Sequence, residues 1–466
     1  MPKCLIDGQE VEFSVGENLV EVARRAGIEI PVFCYHPGLS VVAQCRMCAV
    51  EIEKAPKLQT ACSTVAQDGM VVKTKSEKVK QNQKAIMEFL LLNHPLDCPV
   101  CDKAGECDLQ DHSYKYGESY TRYSEEKRTY VDLEMGPVIK KNMNRCIHCT
   151  RCIRFGAQIA GVHEMIATNR GNHTEISTLN GRNLETEYAG NYADICPTGA
   201  LTLKDFRFKK RAWFLTKKAT ICEGCSQGCS IELHLADGIV HRCVARENLK
   251  INKYWICDEG RFNYKYLADP DRVIEPMIKE SGRFGATSWP KAVEQAKALL
   301  KDKNVCILVG EDLTQEEAAL AQLFSLEGFP TSSCFHFGTD GVRSSKDDKA
   351  VDKVLKRKSK TANLVGLEKL KIASLPSSLE KFGAFLIIRG GRAQLPELPP
   401  APVVAFGVFK EKEVRKFDII LPGRGFIEKQ GTVFNYQGIE QSFVKILDAS
   451  SETRELSDAL KLWTGI

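Results

Sequence analysis

The chain has 466 residues, 43% hydrophobic and 27% charged, and its 65 basic and 60 acidic residues nearly cancel to a formal net charge of +5. This length and composition predict several soluble domains, and so small a net charge implies no nucleic-acid partner. The longest apolar runs, such as Ile86 to Leu92, fall far short of the roughly 20 residues that cross a bilayer, so no membrane span is predicted.

The number and spacing of the cysteines indicate that the chain binds metal. The chain has 19 cysteines, and its opening residues show neither a secretory nor a transit segment, which predicts a cytoplasmic location where thiols stay reduced. Fifteen of the cysteines fall into four sets within the first 257 residues, each with ligand-like spacing. The other four have no partners at such spacing and are predicted to be buried apolar side chains: Cys4, Cys243, Cys306 and Cys334.

The first set follows a predicted strand, strand and helix. Alternating runs from Lys3 to Ile6 and from Glu10 to Phe13 surround a turn, and the amphipathic stretch NLVEVARRAGI comes next. Plant-type ferredoxins carry a 2Fe-2S centre on such a unit, with loop spacing x4 then x2 where this chain has x10 then x2. Four thiolates from one loop and a later strand suit a two-iron centre, with structural zinc as the alternative. The first set is Cys34, Cys45, Cys48 and Cys62.

The second set combines one histidine with three cysteines at the end of the helical pattern VKQNQKAIMEFLLLN, where Pro95 stops the helix. The histidine takes the place of a missing fourth thiolate. Because imidazole is neutral, this ligand makes a cluster less negative and easier to reduce, as in Rieske centres. A zinc site with one histidine and three cysteines is the alternative. The second set is His94, Cys98, Cys101 and Cys107.

The third set, in RCIHCTRCIRF and ICPTGAL, has two x2 gaps and a remote Cys-Pro, which is the 4Fe-4S ferredoxin signature. A two-cluster ferredoxin would have a cysteine at position 156 and a second triplet, whereas this chain has Gly156 and a lone Cys196. The spacing therefore predicts a single cluster here. The third set is Cys146, Cys149, Cys152 and Cys196.

The fourth set lies in CEGCSQGC, with a late cysteine in YWICDEGRFNY. Its x2, x3 spacing predicts a further site with four thiolates, and a zinc ribbon is the alternative. The fourth set is Cys222, Cys225, Cys229 and Cys257.

The four sets in this order resemble the large iron-sulfur subunits of respiratory complex I, the G subunits of bacterial NADH:quinone oxidoreductases. The resemblance covers roughly residues 1 to 270 and rests on CYHPGLSVVAQCRMC, NHPLDCPVCDKAGECDLQD, NRCIHCTRC and ICPTGAL. It implies one 2Fe-2S cluster on the first set and 4Fe-4S clusters on the other three, with the fourth off the main line of electron transfer.

The remaining residues alternate strand-like runs, such as NVCILVG, AFLIIRG, PVVAFGV and DIILPG, with helix-like runs, such as WPKAVEQAKALL and TQEEAALAQLF. This pattern predicts an α/β layer with a mainly parallel sheet. It resembles a shortened molybdopterin-enzyme body, and GRGFIEKQGTVFNYQGIEQ is similar to a segment near the end of that body in complex I. We predict a scaffold without molybdopterin, and a loop rather than a nucleotide site at GGRAQLPELPP.

The predicted fold class is α+β with several domains. The expected division is a 2Fe-2S ferredoxin-like (β-grasp) domain at 1–78, a 4Fe-4S domain with one histidine and three cysteine ligands at 79–135, a 4Fe-4S ferredoxin-like domain at 136–212, a molybdopterin-oxidoreductase-type 4Fe-4S domain at 213–271 and the shortened α/β body at 272–466.

The predicted function is one-electron relay, with no catalytic residue and with iron bound only through the four sets. No GxGxxG motif after a strand or nucleophile elbow is found, so flavin and NADH are expected on partners. The resemblance implies a flavin-bearing NADH-binding subunit, its small 2Fe-2S subunit, downstream iron-sulfur and quinone-site subunits, and a peripheral place on the cytoplasmic side of the inner (plasma) membrane. The alternatives are a relay subunit of a NAD-linked hydrogenase or formate dehydrogenase, and a zinc-stabilised scaffold.

Overall fold

The structure is a computed structural model that describes residues 1–329, 332–338 and 350–465. The chain divides into two compact units, Met1–Leu215 and Thr216–Ile466. The finer five-domain division predicted from the sequence stays a prediction.

The first unit begins with a sheet and one short helix, α1 (Leu19–Arg25), as predicted. The helix begins where the side chain of Asn18 accepts a hydrogen bond from the backbone of Glu21, and its apolar face packs into the core of the sheet. The sheet order is β2-β1-β5-β3-β4, with β1 antiparallel to β2 and parallel to β5. Its strands are β1 (Lys3–Ile6), β2 (Gln9–Glu12), β3 (Ala49–Ile52), β4 (Gln59–Thr60) and β5 (Val71–Lys73).

The rest of the first unit is built from short elements. Helix α2 (Glu77–Leu91) buries Val79, Gln83 and Met87, which lie four residues apart on one face. The other helices are α3 (Asp108–Tyr116), α4 (Arg151–Phe155) and α5 (Gly190–Ile195). A three-stranded sheet of order β10-β7-β6 and a β8-β9 hairpin complete the unit. Their strands are β6 (Leu133–Glu134), β7 (Ile139–Lys141), β8 (Met165–Thr168), β9 (Glu175–Thr178) and β10 (Leu201–Leu203).

The second unit opens with an antiparallel sheet of order β11-β12-β13, and the short helix α6 (Asp258–Phe262) follows it. The eight-stranded sheet after them has the order β15-β14-β21-β20-β19-β16-β17-β18, in which the six strands from β21 to β18 run parallel. The predicted mainly parallel sheet is therefore confirmed. The strands are β11 (Thr216–Ile221), β12 (Ser230–Ala236), β13 (Ile239–Ala245), β14 (Met277–Glu280), β15 (Arg283–Ala286), β16 (Val305–Gly310), β17 (Ser333–Phe337), β18 (Ala373–Ser374), β19 (Ala384–Arg389), β20 (Val403–Gly407) and β21 (Ile419–Pro422).

Apolar side chains cover both faces of the large sheet and form two separate cores, as expected where strands are continuous apolar runs. A hairpin, β22 (Gly431–Phe434) and β23 (Glu440–Phe443), lies outside this sheet. The stretch from Gly390 to Pro400 is irregular, as predicted. The helices are α7 (Trp289–Leu300), α8 (Gln315–Gly328), α9 (Leu364–Lys369), α10 (Glu411–Val414) and α11 (Leu456–Thr464).

Within the described residues, no helix combines the length and the apolar character needed to cross a bilayer.

Candidate metal centres

The first set lies on the loop that leaves α1 and on the strands that follow. Cys34 is in the loop, Cys45 and Cys48 come just before β3, and Cys62 comes just after β4. All except Cys45 are buried. Sulfur atoms from two separate stretches of chain are thus brought to one place.

The thiols of the first set form two hydrogen-bonded pairs. The hydrogen bond from Cys45, helped by the backbone N–H groups of Cys45 and Gln44, lowers the pKa of Cys34 to about 5. A hydrogen bond from Cys48 likewise lowers the pKa of Cys62. N–H groups directed at sulfur are among the features that set cluster potentials, so these residues fit a two-iron centre.

His94 of the second set lies just beyond α2. Its carbonyl oxygen accepts a hydrogen bond of 2.6 Å from Nζ of Lys127. Its Nδ1 is buried and has no hydrogen-bond partner among the described residues. Burial lowers the pKa of His94 to about 4, so the imidazole is neutral. A neutral imidazole with an unused buried nitrogen fits a metal ligand.

The three cysteines of the second set lie together. Cys98 begins a short 3₁₀ turn, and Cys107 lies at the N-cap of α3. Burial raises the pKa of Cys101, and that of Cys107 to about 12. The charge of Cys98 also raises the pKa of Cys101, and the charge of Cys101 raises that of Cys107, so each sulfur lies near the next.

His94 shares its surroundings with these cysteines. The carboxylate of Asp97 raises the pKa of both His94 and Cys101. The guanidinium of Arg145 lowers the pKa of both. Arg145 is itself buried and forms an ion pair of 2.5 Å with Asp97. Histidine and cysteine therefore lie in one electrostatic environment, as the prediction of a four-ligand set requires.

The four cysteines of the third set line one cavity, which Lys141 and Arg151 also line. Burial raises the pKa of Cys146 to about 12 and that of Cys149 to about 11, and the charge of Cys196 raises both. Because buried thiols resist losing protons, the cationic iron-sulfide core of a cluster would be needed to hold them as thiolates.

The fourth set is held by β11 and by the segment before α6. The backbone N–H of Cys222 donates to the carbonyl of Cys229 at 2.8 Å. The Cys257 sulfur accepts a hydrogen bond of 3.4 Å from the backbone of Gly260, at the first turn of α6. Burial, followed by the charges of Cys257 and Cys225, raises the pKa of Cys222 well above its usual value, and burial followed by the charges of the other three cysteines of the set does the same for Cys229. The four sulfurs therefore converge.

No group of three or more His, Cys, Asp or Glu side chains within residues 1–329, 332–338 and 350–465 is arranged to hold a metal ion. The ligand sets therefore stay predictions, and what supports them is the convergence of the thiols.

Buried cations beside the sets were not predicted from the sequence. Lys141, Arg145, Arg151 and Arg154 are all buried. In the stretch RCIRF, two arginines three residues apart flank the predicted ligand Cys152 on one helix face, and this spacing was the available signal. Their contacts with distant segments could not be predicted.

Three of the four remaining cysteines are buried as predicted: Cys4, Cys243 and Cys306. Cys334 is only partly buried, so the prediction was wrong for this residue. The reason is its place on β17. Among the described residues, the outer edge of this strand is covered by nothing longer than the two-residue edge strand β18.

Family models match five consecutive stretches of the chain. By their descriptions they are a 2Fe-2S iron-sulfur cluster binding domain at 3–77, the NADH-ubiquinone oxidoreductase-G iron-sulfur binding region at 83–122, the ferredoxin-like domain of NADH-quinone oxidoreductase subunit 3 at 136–202, a molybdopterin oxidoreductase Fe4S4 domain at 215–269 and molybdopterin oxidoreductase at 295–461. These matches confirm the predicted α+β fold class and support the binding of iron-sulfur clusters.

The G subunit of NADH-quinone oxidoreductase from Rickettsia bellii is 45% identical over 294 residues, which are 63% of this chain and 43% of that protein. The chain is similar to this G subunit. The 75 kDa subunit of NADH-ubiquinone oxidoreductase from Reclinomonas americana is 37% identical over 359 residues, 76% of this chain and 52% of that protein. The chain thus spans about half the length of the curated relatives that it matches. A solved NAD+-reducing [NiFe]-hydrogenase chain aligns at 29% identity and a TM-score of 0.42, over 45% of this chain and 90% of that chain.

Proposed function

We propose that the chain is the electron-relay subunit of a proton-pumping NADH:quinone oxidoreductase. It would pass electrons one at a time from a flavin-bearing NADH-binding subunit toward quinone. What supports the proposal is that the cysteines within each predicted set lie near one another, on a chain that is similar to the G subunit of a NADH-quinone oxidoreductase. In this proposal the complex is the enzyme, and this chain contributes the relay rather than a substrate-converting site.

The proposed cofactors are one 2Fe-2S cluster on the first set and one 4Fe-4S cluster on each of the other three. The clusters supply reversible one-electron chemistry when they are bound. The chain's own residues hold them, keep water away and set their potentials through ligand type, hydrogen bonds to sulfur and nearby charge.

The proposed partners are the flavin- and NADH-binding subunit, its small 2Fe-2S subunit, and the iron-sulfur and quinone-site subunits that follow in the peripheral arm. Support comes from the relatives' names, which describe subunits of a larger oxidoreductase. We place the complex at the cytoplasmic side of the inner (plasma) membrane.

The test is low-temperature EPR of the anaerobically reconstituted full chain, reduced stepwise with dithionite, together with iron, sulfide and zinc analysis. We expect one 2Fe-2S signal and up to three 4Fe-4S signals. In a His94→Cys variant, a thiolate replaces a neutral imidazole, so one 4Fe-4S centre should become harder to reduce. His163 is exposed and lies outside the four sets, so His163→Cys is the matched control and should leave every signal unchanged.

A protein that carries zinc and no reducible signal, after reconstitution without oxygen, would sink the relay proposal and leave the zinc-stabilised scaffold. Reducible clusters that a NADH-oxidising flavin subunit cannot reduce would instead favour a relay fed by another donor.

A further inference from the structure

Arg154 joins the loop of the first set to the loop of the third set. Its Nη2 donates to the carbonyl of Cys34 at 2.5 Å and to that of Cys149 at 3.3 Å. Its Nη1 donates to the carbonyl of Ser40 at 2.5 Å. One guanidinium therefore binds the backbone of a predicted ligand in each of two centres. Arg154 and Cys34 are 120 residues apart in sequence.

Neighbouring side chains bring the same two loops together. Arg151 donates to the carbonyl of Tyr35 at 2.7 Å. Gln44 donates to the carbonyl of His148 at 2.7 Å. The Gln158 amide donates to Oγ of Ser40 at 2.6 Å and accepts from its backbone at 3.0 Å. The contacts made by the two glutamines carry no charge. They therefore hold the two loops together without placing a positive charge beside the predicted ligands.

Among the described residues, no carboxylate balances the charge of Arg154. Its side chain is buried, with the residue 7% exposed, and a guanidinium stays protonated in proteins. In the part of the chain that the structure describes, no carboxylate forms an ion pair with it, and its hydrogen-bond partners are neutral carbonyls. A buried charge without a counter-charge is costly.

The available counter-charges are sulfurs on both sides. The guanidinium of Arg154 binds the carbonyls of Cys34 in the first set and of Cys149 in the third set, so its positive charge lies beside a predicted ligand of each centre. Thiolate-ligated clusters are net negative, so one guanidinium stabilises both centres. Reduction adds negative charge, and a nearby cation favours the reduced form.

We propose that Arg154 is a positioning residue that clamps the first-set loop onto the third-set loop and raises the reduction potential of the centre on each side. The inference rests on the proposed function, because it requires reducible clusters at both sets.

The test is an EPR-monitored redox titration of the reconstituted full chain. In Arg154→Gln, which removes the charge and keeps a hydrogen-bond donor, we expect the reduction equilibrium constant of both centres to fall about tenfold, or about 59 mV for a one-electron couple. Arg154→Lys keeps the charge, so both potentials should stay within about threefold of the wild type. Gln158→Ala, which removes an uncharged link between the same loops, is the matched control and should leave both potentials unchanged.

The clamp, by which we mean the hydrogen bonds from Arg154 to the carbonyls of Cys34, Ser40 and Cys149, is tested by a separate measurement. A single ammonium cannot bind Cys34, Ser40 and Cys149 together as the forked guanidinium does. We therefore expect Arg154→Lys to weaken the magnetic broadening between the two reduced centres. Unchanged broadening in a fully loaded Arg154→Lys protein would overturn the clamp, even if Arg154→Gln binds no iron.

Two results would overturn the claim that the charge of Arg154 raises both reduction potentials. One is an equal fall of the potentials in Arg154→Gln and Arg154→Lys, and the other is a fall at one centre only. The signals of the second and fourth sets are internal references and should not move. A wild-type protein with no reducible signal at all would instead defeat the proposed function, and the inference with it.

Discussion

At the scale of single residues, Gly260 packs directly against two sulfurs of the fourth set. A Cβ atom there would lie 2.8 Å from Cys222 Sγ and 3.5 Å from Cys257 Sγ, and the first of these separations is too short for carbon and sulfur. We expect Gly260→Ala to displace a sulfur and to lose the iron of one cluster, while the signals of the first three sets persist. Iron analysis and EPR of the reconstituted chain measure this.

The matched control is Gly285→Ala, because nothing lies within 4 Å of a Cβ built at Gly285 and its backbone is not left-handed. This control should bind all of its iron. A Gly260→Ala protein with full iron and an unchanged fourth-set signal would show that the close approach has no role in holding the cluster.

His234 should make folding stability depend on pH. Its Nδ1 accepts a hydrogen bond of 2.9 Å from Arg242, and Nε2 lies 3.2 Å from a carboxylate oxygen of Glu232. Burial and then the charge of Arg242 lower its pKa from 6.5 to about 4. Between these values the unfolded state binds a proton that the folded state does not. The free energy of unfolding should therefore fall as pH drops from 6.5 toward 4, by at most about 3 kcal/mol.

Urea unfolding from pH 5 to pH 7.5 tests this, with the slope of His234→Gln flatter than that of the wild type. Exposed His163 provides the control variant, His163→Gln, whose slope should match the wild type. Identical slopes for His234→Gln and the wild type would contradict the assignment.

The sequence could predict some single residues and not others. His94 was found because a three-cysteine set lacked a fourth ligand at close spacing. Arg154 and Gly260 were not found, because each matters through atoms that only the folded chain brings near. The carbonyl of Cys34 is 120 residues from Arg154, and no local pattern records that contact.

At the scale of elements, the start of α8 is fixed by side chains. The Thr314 hydroxyl accepts from the backbone of Glu317 at 3.2 Å, and the Glu317 carboxylate accepts from the backbone of Thr314 at 3.0 Å. Nζ of Lys429 lies 2.6 Å from the same carboxylate. We expect Thr314→Ala to cost about 1 to 2 kcal/mol in the free energy of unfolding, measured by chemical denaturation, with the first three cluster signals unchanged.

Ser288 is the matched control, because it lies at the N-cap of α7 without a side-chain capping hydrogen bond. Ser288→Ala should therefore leave stability nearly unchanged. Equal losses in the two variants would mean that the capping contacts of Thr314 do not stabilise α8.

Strands and helices with a clear pattern were predictable. The apolar runs that form β16, β19, β20 and β21 were found, because a strand buried on both faces is apolar throughout. Strand β17 was missed, because SCFHF mixes apolar residues with Ser333 and His336. His336 is tolerated inside because its Nδ1 lies 2.8 Å from the Glu311 carboxylate, a pairing made only in the fold.

At the scale of the whole molecule, the predicted centres divide unequally between the two units. The first three sets lie within Met1–Leu215 and the fourth lies within Thr216–Ile466. Every strand of the first unit pairs with another strand of the same unit, and the clamp at Arg154 also lies inside it. The first unit therefore holds its own sheets, cores and three ligand sets.

We expect a chain ended at Leu215 to fold and to reconstitute the 2Fe-2S signal and two 4Fe-4S signals, with only the fourth-set signal lost. The physical reason is that no ligand of the first three sets, and no strand that positions one, comes from residues after Leu215. EPR with iron and sulfide analysis measures the outcome, and the full-length Cys222→Ser protein is the control for loss of the fourth set alone. If the shortened chain lost a second signal that the control keeps, the first unit would depend on the second for its centres, and the four sets would have to be treated as one cooperative assembly.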